Sequence, residues 1–323
     1  MKVFVTGGNG FIGSVVVRKL LQQGHEVCCL LRQTSRTERI NGLSLECVQG
    51  DVRDADSLLA GMKGCQATIH LAGLSSWDEI DSPVLRDVVE GGTWNILHTA
   101  MSLPAHRVIF VSSATAVNGS DKPEVFNEAS EFTLDDPQLK YAHAKHNAEM
   151  QCQNAVSRGV PVIVVNPAEV YGPSDTALVT AGNLLQFARS NPVLVCSGGT
   201  SVAHVDDVAD GIIAALEKGR SGERYILGGE NLTILQLARL CLQMIGLSRR
   251  IVTLPNHLIR WATNVATTLR LPLPYPAGVI PYATRYWFVD GSKAERDLGV
   301  KFRDARSTLA PTIAWLREAG HLA

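Results

Sequence analysis

The run Thr6-Gly7-Gly8-Asn9-Gly10-Phe11-Ile12-Gly13, close to the start of a 323-residue chain, decides the fold. It satisfies G-x-G-x-x-G from Gly8 and T-G-x-x-G-x-x-G from Thr6. A glycine pattern alone is weak, and its context gives it meaning. An apolar run over residues 2–6 precedes it. A helical pattern over residues 11–23 follows, with Ile12, Val15, Val16 and Leu20 on one face and Gly24 closing it. The order is therefore strand, turn, helix. Glycines let the backbone turn tightly and approach a pyrophosphate. The helix start then offers free N–H groups and the positive end of its dipole. The predicted ligand is a dinucleotide, lying against Gly7, Gly10, Phe11, Ile12 and Gly13.

Outward from this turn the first half keeps alternating. Strands are expected at 26–31, 45–49, 67–71, 107–112 and 160–165, and helices at 57–62, 82–102 and 139–157. Alternation of this kind predicts an α/β fold: a doubly wound parallel sheet of Rossmann type, covered on both faces. The second half is less regular. Helices are expected at 206–217 and at 233–244, the latter capped by Thr233, with a strand at 224–227. From 254 to 288 the chain is apolar and aromatic, and Pro255, Pro272, Pro274, Pro276 and Pro281 argue against a long helix there. The expected division is a dinucleotide-binding domain at 1–170, completed by 203–230. A smaller C-terminal substrate-binding lobe takes 171–202 and 231–323.

Composition sets the outer bounds. The chain is 46% hydrophobic and 19% charged, with a formal net charge of -1, which is globular and unlike a general nucleic-acid binder. No apolar run reaches about 18 residues, so no membrane span is expected. Basic residues are too sparse around 254–288 to favour a membrane-surface role. The seven cysteines form no CxxC pair, and several sit in apolar runs such as Val27-Cys28-Cys29-Leu30. They are read as small buried hydrophobes in a reducing compartment, with no metal site. Met1-Lys2 leads straight into a strand, without a signal-peptide pattern, so a cytoplasmic protein is expected.

Two residues bear on the cofactor. The second strand ends Leu30-Leu31-Arg32-Gln33, with no carboxylate to hold ribose hydroxyls. Arg32 instead suits a 2′-phosphate, which predicts NADP over NAD, although a solvated surface arginine would look the same. Arg36 could assist. Asp51, after the third strand, could accept from an adenine amino group or serve as a cap or turn residue.

Chemistry enters with Tyr141-Ala142-His143-Ala144-Lys145, whose phenol and ammonium share one helix face. A neighbouring cation is expected to lower the tyrosine pKa and make Tyr141 a proton donor to a carbonyl oxygen, or an acceptor in reverse. Ser112-Ser113 ends the fifth strand, where a hydroxyl can hold a substrate oxygen.

Together these segments resemble the extended short-chain dehydrogenases/reductases, the NAD-dependent epimerase/dehydratase superfamily, over essentially the whole chain. The resemblance also rests on Gly50-Asp51-Val52, His70-Leu71-Ala72-Gly73, Asn166-Pro167, Val170-Tyr171-Gly172-Pro173 and His204-Val205-Asp206-Asp207-Val208-Ala209. It implies a catalytic triad of Ser113, Tyr141 and Lys145, with Ser112 as the alternative serine. It implies that Lys145 binds the nicotinamide ribose and that Pro167 and Val170 lie near the nicotinamide. Val52, Leu71, Ala72 and Gly73 are then cofactor-binding, and the chain is a homodimer. The stretch Phe110-Val111-Ser112-Ser113-Ala114-Thr115-Ala116-Val117-Asn118 is similar to the dihydroflavonol 4-reductase and cinnamoyl-CoA reductase group. The tail Val289-Asp290-Gly291-Ser292-Lys293-Ala294 resembles bacterial relatives of that group and of 3β-hydroxysteroid dehydrogenases. Two departures stand out. Val88 or Val89 occupies the place where many members carry an asparagine thought to support a proton relay or a helix bend. Val117-Asn118-Gly119 replaces the Val-Tyr-Gly of sugar enzymes.

The expected substrate is small, largely apolar and ring-containing, with a carbonyl or alcohol exchanging hydride with NADP(H). The segment 198–203 lacks the arginine common in nucleotide-sugar enzymes. Trp261, Leu269, Leu271, Leu273, Tyr275, Tyr282, Tyr286 and Trp287 could line an apolar pocket, or be ordinary core. Arg260, Arg270 and Arg285 keep a nucleotide-sugar epimerase or dehydratase with retained NAD(P) as the alternative. A non-catalytic cofactor sensor is opposed by Tyr141 and Lys145.

Overall fold

The structure, a computed structural model, describes residues 1–74, 79–273 and 276–322. Pro274 and Tyr275 lie outside them. Five strands enter in order: β1 (Lys2–Thr6), β2 (Glu26–Leu31), β3 (Glu46–Gln49), β4 (Ala67–His70) and β5 (Arg107–Val111). With the strands Val162–Pro167 and Arg224–Leu227 they form a seven-stranded sheet. Its order is Arg224–Leu227, Val162–Pro167, β5, β4, β1, β2, β3, and every pairing is parallel. The fold is the doubly wound one expected. Successive side chains of β1 leave on opposite faces: Val3 and Val5 join one apolar cluster, Phe4 the other. Both faces are buried, so the strands read as unbroken apolar runs.

Helices cover the two faces: α1 (Phe11–Gln22) packs on one side, and α2 (Ala55–Met62), α3 (Gly92–Met101) and α4 (Lys140–Ser157) on the other. Asp54 caps α2, its carboxylate accepting from Asp56 N–H. Strand order reverses at β1, which lies between β4 and β2, so the carboxyl ends of β1 and β4 border a crevice. A second sheet has five strands: Glu230–Thr233, Gly199–His204, Tyr286–Val289, Val125–Phe126, and Glu169–Tyr171 beside Gly199–His204. It flanks the crevice. Thr233 caps the helix Ile234–Ile245 as expected, in a reciprocal capping box with Gln236.

Several expectations need correcting. The helix expected at 82–102 is shorter at its N-terminal end. Its first part, Asp87–Gly91, is a wide π-helical turn leading into α3. The prolines of 254–288 leave room between Pro255 and Pro272 for a 13-residue helix, Asn256–Thr268. The helices Ala181–Arg189, Ser292–Leu298 and Ala305–Glu318 had no expected counterpart. All seven cysteines are free thiols and five are buried, but Cys47 is exposed and Cys196 half-buried.

Candidate active site

The glycine turn is as tight as its sequence suggests. Gly7 adopts φ +71, and a Cβ there would meet Ala72 N at 2.8 Å. A Cβ on Gly13 would strike the Gly7 carbonyl. Gly10 N–H donates to Gly7 O at 3.0 Å, and Gly10 starts α1 without a side-chain cap. The first amides of α1 are thus left to an external acceptor. A methyl group would fill the cradle, which fits a phosphate-bearing cofactor approaching bare backbone.

The crevice continues as one cleft of about 680 Å³. It is lined by Gly7, Gly10, Phe11, Ile12, Gly13, Arg32, Asp51, Val52, Leu71, Ala72, Gly73, Ser113, Tyr141, Lys145, Pro167 and Val170. The expected catalytic residues and these expected cofactor residues therefore face one cavity, and Ser112 borders it too. At its far end Arg32 is exposed, and its guanidinium has no partner among the described residues. Asp51 is engaged differently. Its carboxylate takes Arg53 Nε at 2.9 Å, a second guanidinium nitrogen at 2.9 Å and the Arg53 amide at 2.9 Å. The Arg53 bond holds its carboxyl below the usual range. It is a turn residue whose oxygens are largely used.

Tyr141 and Lys145 share one face of α4. Ser113 borders the same cleft, and its Oγ accepts from Thr115 N–H at 3.2 Å and Thr115 Oγ1 at 3.0 Å. Lys145 Nζ donates to Val111 O at 2.9 Å and lies 6.0 Å from the centre of the Tyr141 ring. The expected lowering of the tyrosine pKa is not found. Burial pushes the Tyr141 phenol up to about 12, outweighing the opposing influence of the nearby Ser113 hydroxyl. Burial pushes the Lys145 ammonium down to about 8, against the opposing pull of Glu149 one turn on. In this environment desolvation outweighs the neighbouring charge.

The two serines separate by the alternation of the chain. Ser112 donates to Glu149 Oε1 at 2.5 Å. The same carboxylate takes Asn166 Nδ2 at 2.6 Å and Arg224 at 3.1 Å. Ser113 lies near the Tyr141 phenol. Glu149, which sequence reading missed, anchors α4 to the end of β5; its only signal is its spacing from Lys145. Tyr282 was also missed as an anchor. Its hydroxyl oxygen accepts from Tyr141 N–H at 3.0 Å and Ala142 N–H at 3.3 Å, satisfying two amides in the first turn of α4.

A directed chain of hydrogen bonds lies beneath the turn. Ala72 N–H donates to Thr6 Oγ1 at 3.2 Å, and Thr6 Oγ1 lies 2.7 Å from His70 Nδ1. His70 Nε2 lies 3.2 Å from Thr93 Oγ1, whose hydrogen goes to Val89 O at 2.6 Å. Since Thr93 spends its only hydrogen on Val89, Nε2 must carry the imidazole proton and Nδ1 must accept from Thr6. Burial pushes His70 down to about 3, which keeps the ring neutral. Val89 sits in the π turn, beside Val88.

The other half of the cleft is mostly apolar, with Phe187, Leu194, Val195, Leu237, Ile280 and others on its walls. Tyr282 and Trp287 line it and stack at 5.7 Å. Among the described residues, Trp261, Leu269, Leu271, Leu273 and Tyr286 do not line it. Trp261, Leu269 and Leu271 are 66%, 63% and 53% exposed, on or just past the outer side of Asn256–Thr268. Tyr286 packs edge-on against Phe288. Arg260 is held by Thr284 and Asp121. Arg285 lines the cleft but is paired with Asp136 at 3.0 Å. Among the described residues, no helix is long and apolar enough to cross a membrane.

A parallel doubly wound sheet, a bare glycine turn at its switch point and a Ser–Tyr–Lys group in the same cleft define a nicotinamide-dependent enzyme class. The chain belongs to the NAD dependent epimerase/dehydratase family, whose profile matches residues 3–228. It is 30% identical to a putative dihydroflavonol 4-reductase of Synechocystis, over 99% of this chain and 95% of that protein. It is 28% identical to a 4-hydroxy-2-methyl-3-oxo-4-farnesyl-3,4-dihydroquinoline-1-oxide ketoreductase of Stigmatella aurantiaca, over 99% and 97%. A solved dTDP-glucose 4,6-dehydratase of Streptomyces venezuelae with NAD bound superposes at a TM-score of 0.78. It is 25% identical, over 98% of this chain and 97% of that one. The chain is accordingly an NAD(P)-dependent oxidoreductase of this family.

Proposed function

We propose that this chain is an NADPH-dependent reductase of an apolar, ring-containing ketone or aldehyde, working in reverse as an alcohol dehydrogenase. One observation carries the reading: a single cleft joins a bare anion cradle and an unpaired Arg32 to Tyr141, and then opens into an apolar chamber. Arg32, Lys145 and Arg285 are the cationic side chains among the described cleft residues. Arg285 already has Asp136, and Glu169 adds a carboxyl on that side. This charge pattern disfavours a pyrophosphate-linked sugar and favours an uncharged substrate.

In this reading Arg32 holds the 2′-phosphate, while Gly7, Gly10 and the start of α1 cradle the pyrophosphate. Asp51, Val52, Leu71, Ala72 and Gly73 flank the adenosine and ribose. Pro167 and Val170 shape the nicotinamide side. The bound cofactor would supply a hydride to the carbonyl carbon. Ser113 and the Tyr141 hydroxyl hold the carbonyl oxygen, and that oxygen takes the Tyr141 proton as the carbon is reduced. Lys145 binds the ribose and its charge stabilises the phenolate that remains. The second sheet and the later helices form the substrate-binding side.

A panel of ketones, aldehydes, steroids and UDP-sugars, each assayed with NADPH and NADH, tests the proposal. Net oxidation of NADPH with an apolar ketone is the expected result. Conversion of a UDP-sugar without net cofactor turnover would overturn it.

A further inference from the structure

Glu169 is an acid in an unusual place. Among the described residues lining the cleft, only Asp51 and Glu169 carry carboxyls, and Asp51 is committed to Arg53. Glu169 makes no ion pair among the described residues; neutral donors hold it instead. Its Oε1 accepts from Tyr171 O–H at 2.7 Å and from Asn183 Nδ2 at 2.8 Å, and Thr200 lines the cleft nearby. These residues come from the strand Glu169–Tyr171, the helix Ala181–Arg189 and the strand Gly199–His204. Glu169, Asn183 and Thr200 all face the chamber, between apolar walls that include Phe187 and Leu237.

A half-buried carboxyl without a cation is costly, and an apolar side chain would fill the space without that cost. Here the group opens onto the cleft two residues beyond Pro167. Its Oε1 is saturated by two donors, which leaves acceptor capacity on Oε2. We propose that Glu169 recognises a hydroxyl group that the substrate carries apart from its reacting carbonyl, with Tyr171 and Asn183 holding the carboxyl in place. Such a hydroxyl donates its hydrogen to the unclaimed Oε2. Burial pushes the Glu169 carboxyl upward. A phosphate would meet repulsion at the same point.

The inference rests on the carbonyl-reductase reading and narrows its substrate to hydroxylated ketones. The probes are α-tetralone and its ring-hydroxylated isomers. Each is followed by NADPH absorbance for turnover and by quenching of bound NADPH fluorescence for binding. The wild-type holoenzyme is expected to favour at least one hydroxylated isomer over the parent by about tenfold or more in kcat/KM. Glu169→Gln keeps the shape and an acceptor oxygen for Tyr171 and Asn183. It is expected to cost that isomer about tenfold more than it costs the parent. Persistence of the full preference in Glu169→Gln would overturn the inference. So would a wild type indifferent to every ring hydroxyl, a result that needs no variant to fold. The two readings fail separately. A hydroxyl preference in binding without any turnover removes carbonyl reduction and leaves the recognition site. Turnover of the parent without any preference does the reverse.

Discussion

Around the glycine turn the cleft is walled by backbone, whereas around Tyr282 and Glu169 it is walled by side chains. On the first side a methyl group at Gly7 or Gly13 runs into main-chain atoms that cannot move aside. On the second, Phe187, Leu237, Ile280 and Trp287 could each be exchanged for another apolar residue with little change in the fold. A site made of backbone dictates residue identity at fixed positions. One made of side chains dictates only volume and polarity, so it can change its ligand while the chemistry beside it stays. The named relatives fit that picture, since reductases and a dehydratase share one scaffold.

Substitutions can break this contrast. The largest effect is expected where the halves meet: Tyr141→Phe should lower kcat by roughly a hundredfold or more while NADPH binds as before. Stopped-flow turnover and fluorescence titration measure the two, and near-normal turnover would reject Tyr141 as the proton donor. Arg32→Ala should weaken NADP binding about tenfold or more and leave NAD binding almost unchanged. Calorimetry with both cofactors checks this; equal affinities in the wild type would remove the role given to Arg32.

The pH profile sharpens the boundary itself. Lys145 is pushed down to about 8, so its ammonium is present below that pH and is lost as pH rises through it. Tyr141, pushed up to about 12, stays protonated across the same range. Reductive kcat/KM should therefore be flat up to about 8 and then fall about tenfold per pH unit. A profile still flat at about pH 10 would detach Lys145 from the rate. The smallest effect belongs to Trp261→Ser, on the outward side of its helix. It should shift stability by less than about 0.5 kcal/mol and leave KM unchanged, as thermal melts and steady-state assays would show.

The same contrast explains what could be read in the sequence. The turn at residues 6–13 was legible because glycine is required there, and the strand–helix alternation followed from apolar runs. Tyr141 and Lys145 were legible by spacing on one helix. The chamber was not, because Trp261 and Trp287 sit in one aromatic stretch and look alike until tertiary packing turns one outward and one inward. Neighbouring Ser112 and Ser113 could not be told apart until Glu149 claimed the first. Glu169 left one clue, a lone acid between the apolar run ending at Val165 and Val170-Tyr171. Its partner Asn183 is distant in sequence and left none. The direction of the Tyr141 shift was misjudged because spacing reveals the neighbouring charge and hides the burial.

The chain of hydrogen bonds from Ala72 through Thr6, His70 and Thr93 to Val89 has one polarity. A backbone amide begins it and can only give; a backbone carbonyl ends it and can only receive. Every hydrogen between them is thereby assigned, and no reversed arrangement satisfies both ends. Such a string cannot carry protons back and forth. It acts as a strut, bracing the π turn against the floor of the glycine turn, and its neutral histidine keeps it standing at any pH where the protein works.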